Sequence, residues 1–461
     1  MSTRRKLAFG HSGLAVVLSI AAFILPIMAP GVAAPSAACS NESGLSEQGI
    51  PASEIFNAPC MMPAMIEQAS DDAVDGVSSE GAQGAPPVRA RAAKVGTEFD
   101  DVQPIRSLVD PYPSFNGIAF DPTNDIVLMS DTNKKSLLVY PRTSGGHARE
   151  EAQPARQIIG PATNIGFIAG VAIDSTNREL FAVNNDIEDR VVVFPSEDQG
   201  NVKPKRILHV PYSSWGLALN QRRDELAVSV QQINAVIIYR REAKGLEAPV
   251  RSIIGANTGL ADPHGICWDE SKDEIFVSDH GNANKEGTSL STTDYYNSDA
   301  RLQLSLGGEF QAPAVHVFAG SGQGNVKALR TIQGPSTQLN WPTGMAVDTI
   351  HDQLAVANSA DNSVLFFRRS DSGNVRPVRM LKGTQTGIDR PMGVAIDRKN
   401  NELWVANFGD HTALVFDLKA SGNAAPKRIV RNAPQGTPSA GFGNPMALAF
   451  DTSRDEIVVG N

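Results

Sequence analysis

The sequence predicts an all-β protein: a seven-bladed β-propeller closed by strands from both termini, with a six-bladed ring as the alternative. Three observations predict it. A unit of roughly 50 residues repeats along the chain, within the period range of propeller blades. Each copy holds four strand-sized apolar runs separated by turn residues. Between those runs no stretch is long enough for an amphipathic helix.

The unit is plainest at 170–206, GVAIDSTNRELFAVNNDIEDRVVVFPSEDQGNVKPKR. First-strand copies are GIAFD at Gly117, GLALN at Gly216, GICWD at Gly265, GMAVD at Gly344, GVAID at Gly393 and a degenerate ALAFD at Ala447. The leading glycine lets the innermost strand crowd the central axis, where a side chain would clash. The closing aspartates (Asp121, Asp174, Asp269, Asp348, Asp397, Asp451) suit a turn, because Asp bonds its own backbone two residues on.

Second strands follow as IVLMSD, ELAVSV, EIFVSD, QLAVAN, ELWVAN and EIVVGN. Third strands such as LLVY, VVVF, VIIY, VHVF and VLFF are apolar on both faces, as strands buried on both sides should be. The fourth segment carries an arginine in every copy: Arg106, Arg156, Arg206, Arg251, Arg330, Arg379 and Arg428. A charge placed once per blade serves seven places rather than one ligand. Its planar fork suits carboxylates and carbonyls, so these arginines are expected to be structural and to pin the outer strand.

The repeats begin on a fourth-type segment (104–106) and end on a second-type strand (456–459). The last blade is therefore expected to be shared. It would take inner strands from 447–450 and 456–459 and an outer strand from 105–109. Its third strand would come from 88–95 or be absent.

Ahead of the propeller (99–461) the chain reads as two segments. Residues 1–38 resemble an export signal or a membrane anchor, with Arg4-Arg5-Lys6, an apolar run over 14–29 and small residues after it. Sec and twin-arginine export both fit, and Cys39 weakly resembles a lipidation site. Residues 39–98 are Ser, Gly, Ala, Pro and acidic residues without periodicity, and read as a disordered linker. Within it, 60–65 (CMMPAM) groups soft ligands of the kind that suit Cu(I), with an apolar patch as the plainer reading. Three cysteines make no disulfide scaffold. A net charge of −9 and 6% aromatics give no nucleic-acid footprint. Membrane contact is expected only through the N-terminal segment, if uncleaved or lipidated. The expected location is periplasmic or extracellular.

The pattern G-V-A-I-D … E-L-x-V-A-N … V-x-V-F … G-N-x-x-P-x-R resembles NHL-type bacterial repeat propellers and, more distantly, lactonase-like ones. The resemblance runs from 104 to the end of the chain. It implies the fold, and it implies no one activity, because such propellers host binding modules, hydrolases and lyases alike.

In such a ring the loops joining fourth to first strands and second to third strands share one face, the channel mouth. Residues preceding the first-strand glycines (Asn116, Ala169, Trp215, His264, Thr343, Met392 and Met446) should ring it, with Trp341 nearby. A mixed apolar and polar ring suits a small-molecule pocket, or simply plugs the channel. The fourth repeat carries an insertion at about 282–313 with Tyr295 and Tyr296, long enough to be functional and of a composition suited to protein contacts.

The leading reading is an exported, non-catalytic binding propeller without cofactor. It would recognise a protein or extracellular ligand through Asn116, Trp215, His264, Trp341, Thr343, Tyr295 and Tyr296. The rival is a metal-dependent lactonase-type hydrolase or lyase. It would use His264 and Asp279 as catalytic groups, with Asn116, Asp279 and His280 holding Ca or Mg in the channel. A structural cell-envelope component is the third reading.

Overall fold

The computed structural model describes residues 110–146, 151–185, 189–284, 308–437, 439, 447–451 and 456–460. The chain divides into two units, Met1–Asp100 and Asp101–Asn461, and all described residues fall in the second. The signal segment, the linker, Arg106, the 105–109 strand and the 88–95 segment lie outside them.

Among the described residues there are six four-stranded antiparallel sheets and no α-helix. Blade 1 is β1 (Phe115–Asp121), β2 (Ile126–Asp131), β3 (Ser136–Pro141) and β4 (Arg156–Ile159). Blade 2 is β5 (Phe167–Asp174), β6 (Glu179–Asn185), β7 (Arg190–Pro195) and β8 (Arg206–His209). Blade 3 is β9 (Ser214–Asn220), β10 (Glu225–Val230), β11 (Ala235–Arg240) and β12 (Arg251–Ile254). Blade 4 starts with β13 (Pro263–Asp269) and β14 (Glu274–Asp279), is interrupted by a hairpin of β15 (Asn282–Asn284) and β16 (Gly308–Phe310), and resumes with β17 (Ala314–Ala319) and β18 (Arg330–Gln333). Blade 5 is β19 (Pro342–Asp348), β20 (Gln353–Asn358), β21 (Ser363–Arg368) and β22 (Arg379–Lys382). Blade 6 is β23 (Pro391–Asp397), β24 (Glu402–Asn407), β25 (Thr412–Asp417) and β26 (Arg428–Arg431).

The ring closes on six blades, which corrects the seven-bladed expectation and matches its alternative. The innermost strands meet in order, and β23 returns to β1. Six apolar clusters result, one at each interface, including one that joins Phe115, Met129 and Tyr140 of blade 1 to Trp404, Ala413 and Val430 of blade 6. The seventh repeat copy forms a separate hairpin, β27 (Ala447–Asp451) with β28 (Glu456–Gly460), outside the six sheets. The physical reason is visible at the axis. A Cβ on Gly265 would lie 2.0 Å from the Thr343 carbonyl oxygen, and one on Gly393 would lie 2.9 Å from that of Asn116. The seventh copy has Ala447 where the ring requires glycine.

Within the six blades, the first-strand aspartates bond their own turns. Asp121 Oδ1 accepts from the Thr123 and Asn124 amides at 2.8 and 3.1 Å, and Asp174 and Asp397 do the same for Asn177 and Asn400. The Gly-Asn pairs of the repeat act between blades. Gly200 pairs with β4 through its own N–H and carbonyl (2.7 and 3.1 Å), while Asn201 Oδ1 accepts from the Ala162 amide at 2.8 Å. Asn325, Asn374 and Asn423 repeat this at 2.7 Å. Gly160, at φ 127°, has no room for a Cβ beside Asn201.

The repeated arginines join the outer strand to the start of the second strand. Arg206 is bidentate to Glu179 (2.6 and 2.7 Å), Arg251 to Glu225, Arg330 to Glu274 and Arg428 to Glu402. The same guanidinium groups donate to a carbonyl of the next blade, as Arg206 does to Arg241 and Arg428 to Arg142. Blade 1 has Ile126 in place of the glutamate, and Arg156 donates to the Ser196 carbonyl. Blade 5 has Gln353, which accepts from Arg379 at 3.0 Å.

A second arginine set spans alternate interfaces. Arg241 reaches back to Glu179 and Asp174, Arg369 to Asp269, and Arg142 to Glu402. The intervening blades carry Ser196, Gly320 and Leu418 at that position.

Two predictions follow from this architecture. Burial pushes the Glu402 carboxyl up, but bonds and charge from Arg428 and Lys427 outweigh it and hold the group down at about 2. A depressed folded-state value stabilises above the unfolded value near 4.5 and loses that contribution as pH falls toward 2. Glu402→Gln should therefore cost about 3 kcal/mol at pH 7, and denaturant melts of the two proteins should converge as pH approaches 2. Removal of 447–461 should leave a folded ring with its cooperative thermal transition. Collapse of that truncated protein would return the last blade to shared construction.

Candidate functional site: the channel-mouth rim over blades 3 to 5

The first strand of every blade carries a bulge where two residues face one. In blade 4, Pro263 pairs with Asp279 and Ile266 with Val277, so His264 and Gly265 together oppose Ser278. Blade 3 does the same with Trp215 and Gly216, and blade 1 with Asn116 and Gly117. Bulges re-aim side chains, and these hold the residues expected to ring the mouth.

The structure divides that set. Asn116, Ala169, Trp215 and Met392 line a cavity on the axis of about 90 Å³, where Asn116 is the one polar side chain among the described lining residues. Thr343 is fully buried and donates its hydroxyl to the Pro391 carbonyl at 3.2 Å. His264 leaves the axis and joins a row of rings. Trp215 lies 4.6 Å from His264, His264 stacks on His280 at 3.4 Å, and His280 stacks on Trp341 at 5.1 Å. Phe167 extends the row beyond Trp215. Both tryptophans are half-buried and both histidines are buried.

The backbone beneath this row is unusual. The residue before the first strand is left-handed in four blades: Ser213 (φ 59°), Asp262 (φ 69°), Trp341 (φ 51°) and Arg390 (φ 47°). Glycine adopts that conformation at least cost. None of the four is glycine, and a bulky residue such as Trp341 is an outlier there.

Asp262 organises the polar part. Its carboxylate accepts from Gln231 Nε2 at 3.0 Å and from Asn282 Nδ2 at 3.0 Å. Its carbonyl oxygen lies 3.0 Å from His264 Nδ1, and Gln231 Nε2 lies 2.8 Å from His264 Nε2. A neutral imidazole protonated at Nδ1 satisfies both contacts. Burial lowers the His264 value against the opposing pull of Asp262. Burial, then the neighbouring His264, lowers His280 further. Asp262, His264 and His280 each place one donor atom within 4.8 Å of the others.

Asp279 has a repeating duty. Its Oδ2 accepts from the Ala261 amide at 2.6 Å, as Asp131, Asn184, Asn358 and Asn407 accept from the equivalent loop in their blades. Burial raises its value, and His316 at 3.1 Å opposes that. Asn116 belongs to blade 1 and the axial cavity, whereas Asp279 and His280 belong to blade 4.

Asp262 and Gln231 carried no sequence signal of their own. Their partnership crosses a blade boundary, and only the single-residue offset of Asp262 before Pro263 hinted at a rim position. Tyr295 and Tyr296 lie outside the described residues. The stem of their insertion is the β15–β16 hairpin, on which Phe310 is 88% exposed.

No family model and no curated protein matches this chain. Among solved structures, a chain in "Crystal structure of Nidogen/Laminin Complex" is similar at 15% identity, covering 69% of this chain and 93% of that one, with a TM-score of 0.44. That overlap is too loose to carry an argument.

Replacing 285–307 by an Asn-Gly turn joins β15 directly to β16, as a tight hairpin allows. The shortened protein should keep its far-ultraviolet spectrum and melting temperature. Loss of the cooperative transition would make the segment part of the fold.

Proposed function

We propose that the protein is an exported, non-catalytic binding propeller that recognises a protein partner with the mouth-face rim over blades 3 to 5. One observation carries this reading: the axial cavity is about 90 Å³, whereas pockets for small organic ligands run to about 300–1,000 Å³. Recognition then belongs to the rim rather than the channel. There, half-buried Trp215 and Trp341 offer rigid amphipathic area at low entropic cost, and the β15–β16 hairpin extends beside them. Export rests on the charged, apolar and small-residue regions of 1–38.

The rival hydrolase places a hard cation on the axis. Such an ion needs several oxygen ligands, and glycine and apolar side chains surround Asn116 there.

A photo-crosslinking phenylalanine tests the reading in the native cells. Placed at Tyr212 (49% exposed, on the rim) or Phe310, it should give a discrete adduct with an exported protein. At Ile350 (67% exposed, on the opposite face) it should not. Silence at both rim positions, or identical adducts from all three, would sink the proposal.

A further inference from the structure

We propose that Asp262, His264 and His280 form a binding site for a divalent transition-metal ion, which Gln231 holds closed until the ion displaces its amide. The site is on the rim but does not rest on the protein-partner reading.

Four observations support it. First, the donor set is two imidazoles and one carboxylate, all within 4.8 Å. Nitrogen donors of this kind favour zinc-class ions over calcium or magnesium, and because the two rings are stacked 3.4 Å apart their in-plane lone pairs meet at one ion only once His280 turns out of the stack. Second, the Gln231 amide nitrogen lies 2.8 Å from His264 Nε2 and 3.0 Å from Asp262 Oδ1. It therefore occupies, with its two N–H groups, the pair of lone pairs that a cation would take. Third, the other nitrogen of His264 faces the Asp262 carbonyl at 3.0 Å. Metal-ligating histidines are held in this way, which fixes the tautomer and aims the free lone pair. Fourth, His280 Nε2 is buried without a hydrogen-bond partner among the described residues, on a side chain that is 4% exposed. A buried nitrogen left unpaired is costly, and an ion would satisfy it.

The Asp262 carboxylate also lies 3.8 Å from His280 Nδ1.

Calorimetric titration of the chelator-treated full chain with zinc chloride tests the site. One zinc ion per chain is expected. Gln231→Ala should bind at least about tenfold more tightly, and His280→Ala at least about tenfold more weakly. His351→Ala, a half-buried histidine on the opposite face, should match the wild type. Should His280→Ala fail to fold, Asp262→Asn replaces it, and cobalt(II) absorption bands read the ligand set directly. Absence of saturable one-to-one binding in both the wild type and Gln231→Ala would overturn the proposal. Binding undiminished in His280→Ala or Asp262→Asn would do the same.

Discussion

Everything in this ring follows from the two apolar faces of each blade. A four-stranded sheet whose third strand is VVVF or VLFF has no polar face to turn to water. One neighbour covers one face and leaves the other exposed, so the arrangement ends only when the row returns to its start. Six interfaces achieve that, with buried side chains from adjacent sheets at each. No contribution from both chain ends is required, because every blade draws its four strands from one continuous stretch. The cost falls on the axis, where six inner strands approach so closely that Gly170 would place a Cβ 2.7 Å from the Trp215 carbonyl oxygen.

Apolar packing is non-directional and does not by itself set where one blade sits against the next. Polar groups supply that. Backbone bridges at Gly200, Gly245, Gly324, Gly373 and Gly422 fasten five outer strands to the following blade, and Gly146 does the same for β26. Asparagines after four of these glycines hold the preceding turn. The arginine clasps then fix the outer strand against the second one. The alternation of Arg142, Arg241 and Arg369 gives the ring a two-blade period over its single-blade repeat. Buried ion pairs are weak evidence of net stability. Their geometry is directional, however, and direction is what the apolar interfaces lack.

Much of this was legible in the sequence because each feature is local or periodic. Strand order, the Asp-capped turns and the residues seated in the bulges all recur at fixed offsets. The blade count was not, because the copy at 447–460 repeats the pattern of an inner hairpin so well. The sign against it was one residue, Ala447, read as degeneracy rather than as a steric exclusion. The rim site was half legible. Trp215, His264 and Trp341 were singled out by position, but the pairing of Gln231 with Asp262 depends on two blades being adjacent, and no local spacing records that. Asp279 shows the converse case: a candidate reactive group beside His280 also holds a place in the series of Asp131, Asn184, Asn358 and Asn407, which accounts for its burial and its amide bond.

Repetition therefore separates structure from function better than residue type does. A charged or polar residue that returns in most blades, such as the clasp arginines or the anchor asparagines, answers a demand that every blade makes. Residues that break the series need another cause. Blades 3 to 5 gather several: His264 and Trp215 in bulge positions that hold Ala169 or Met392 elsewhere, Trp341 and Asp262 in the row they build, and a hairpin found in no other described blade. A ring built of near-identical units has no intrinsic front. The concentration of exceptions on one arc of one face gives this one a front, and Asp262 stands where those exceptions touch.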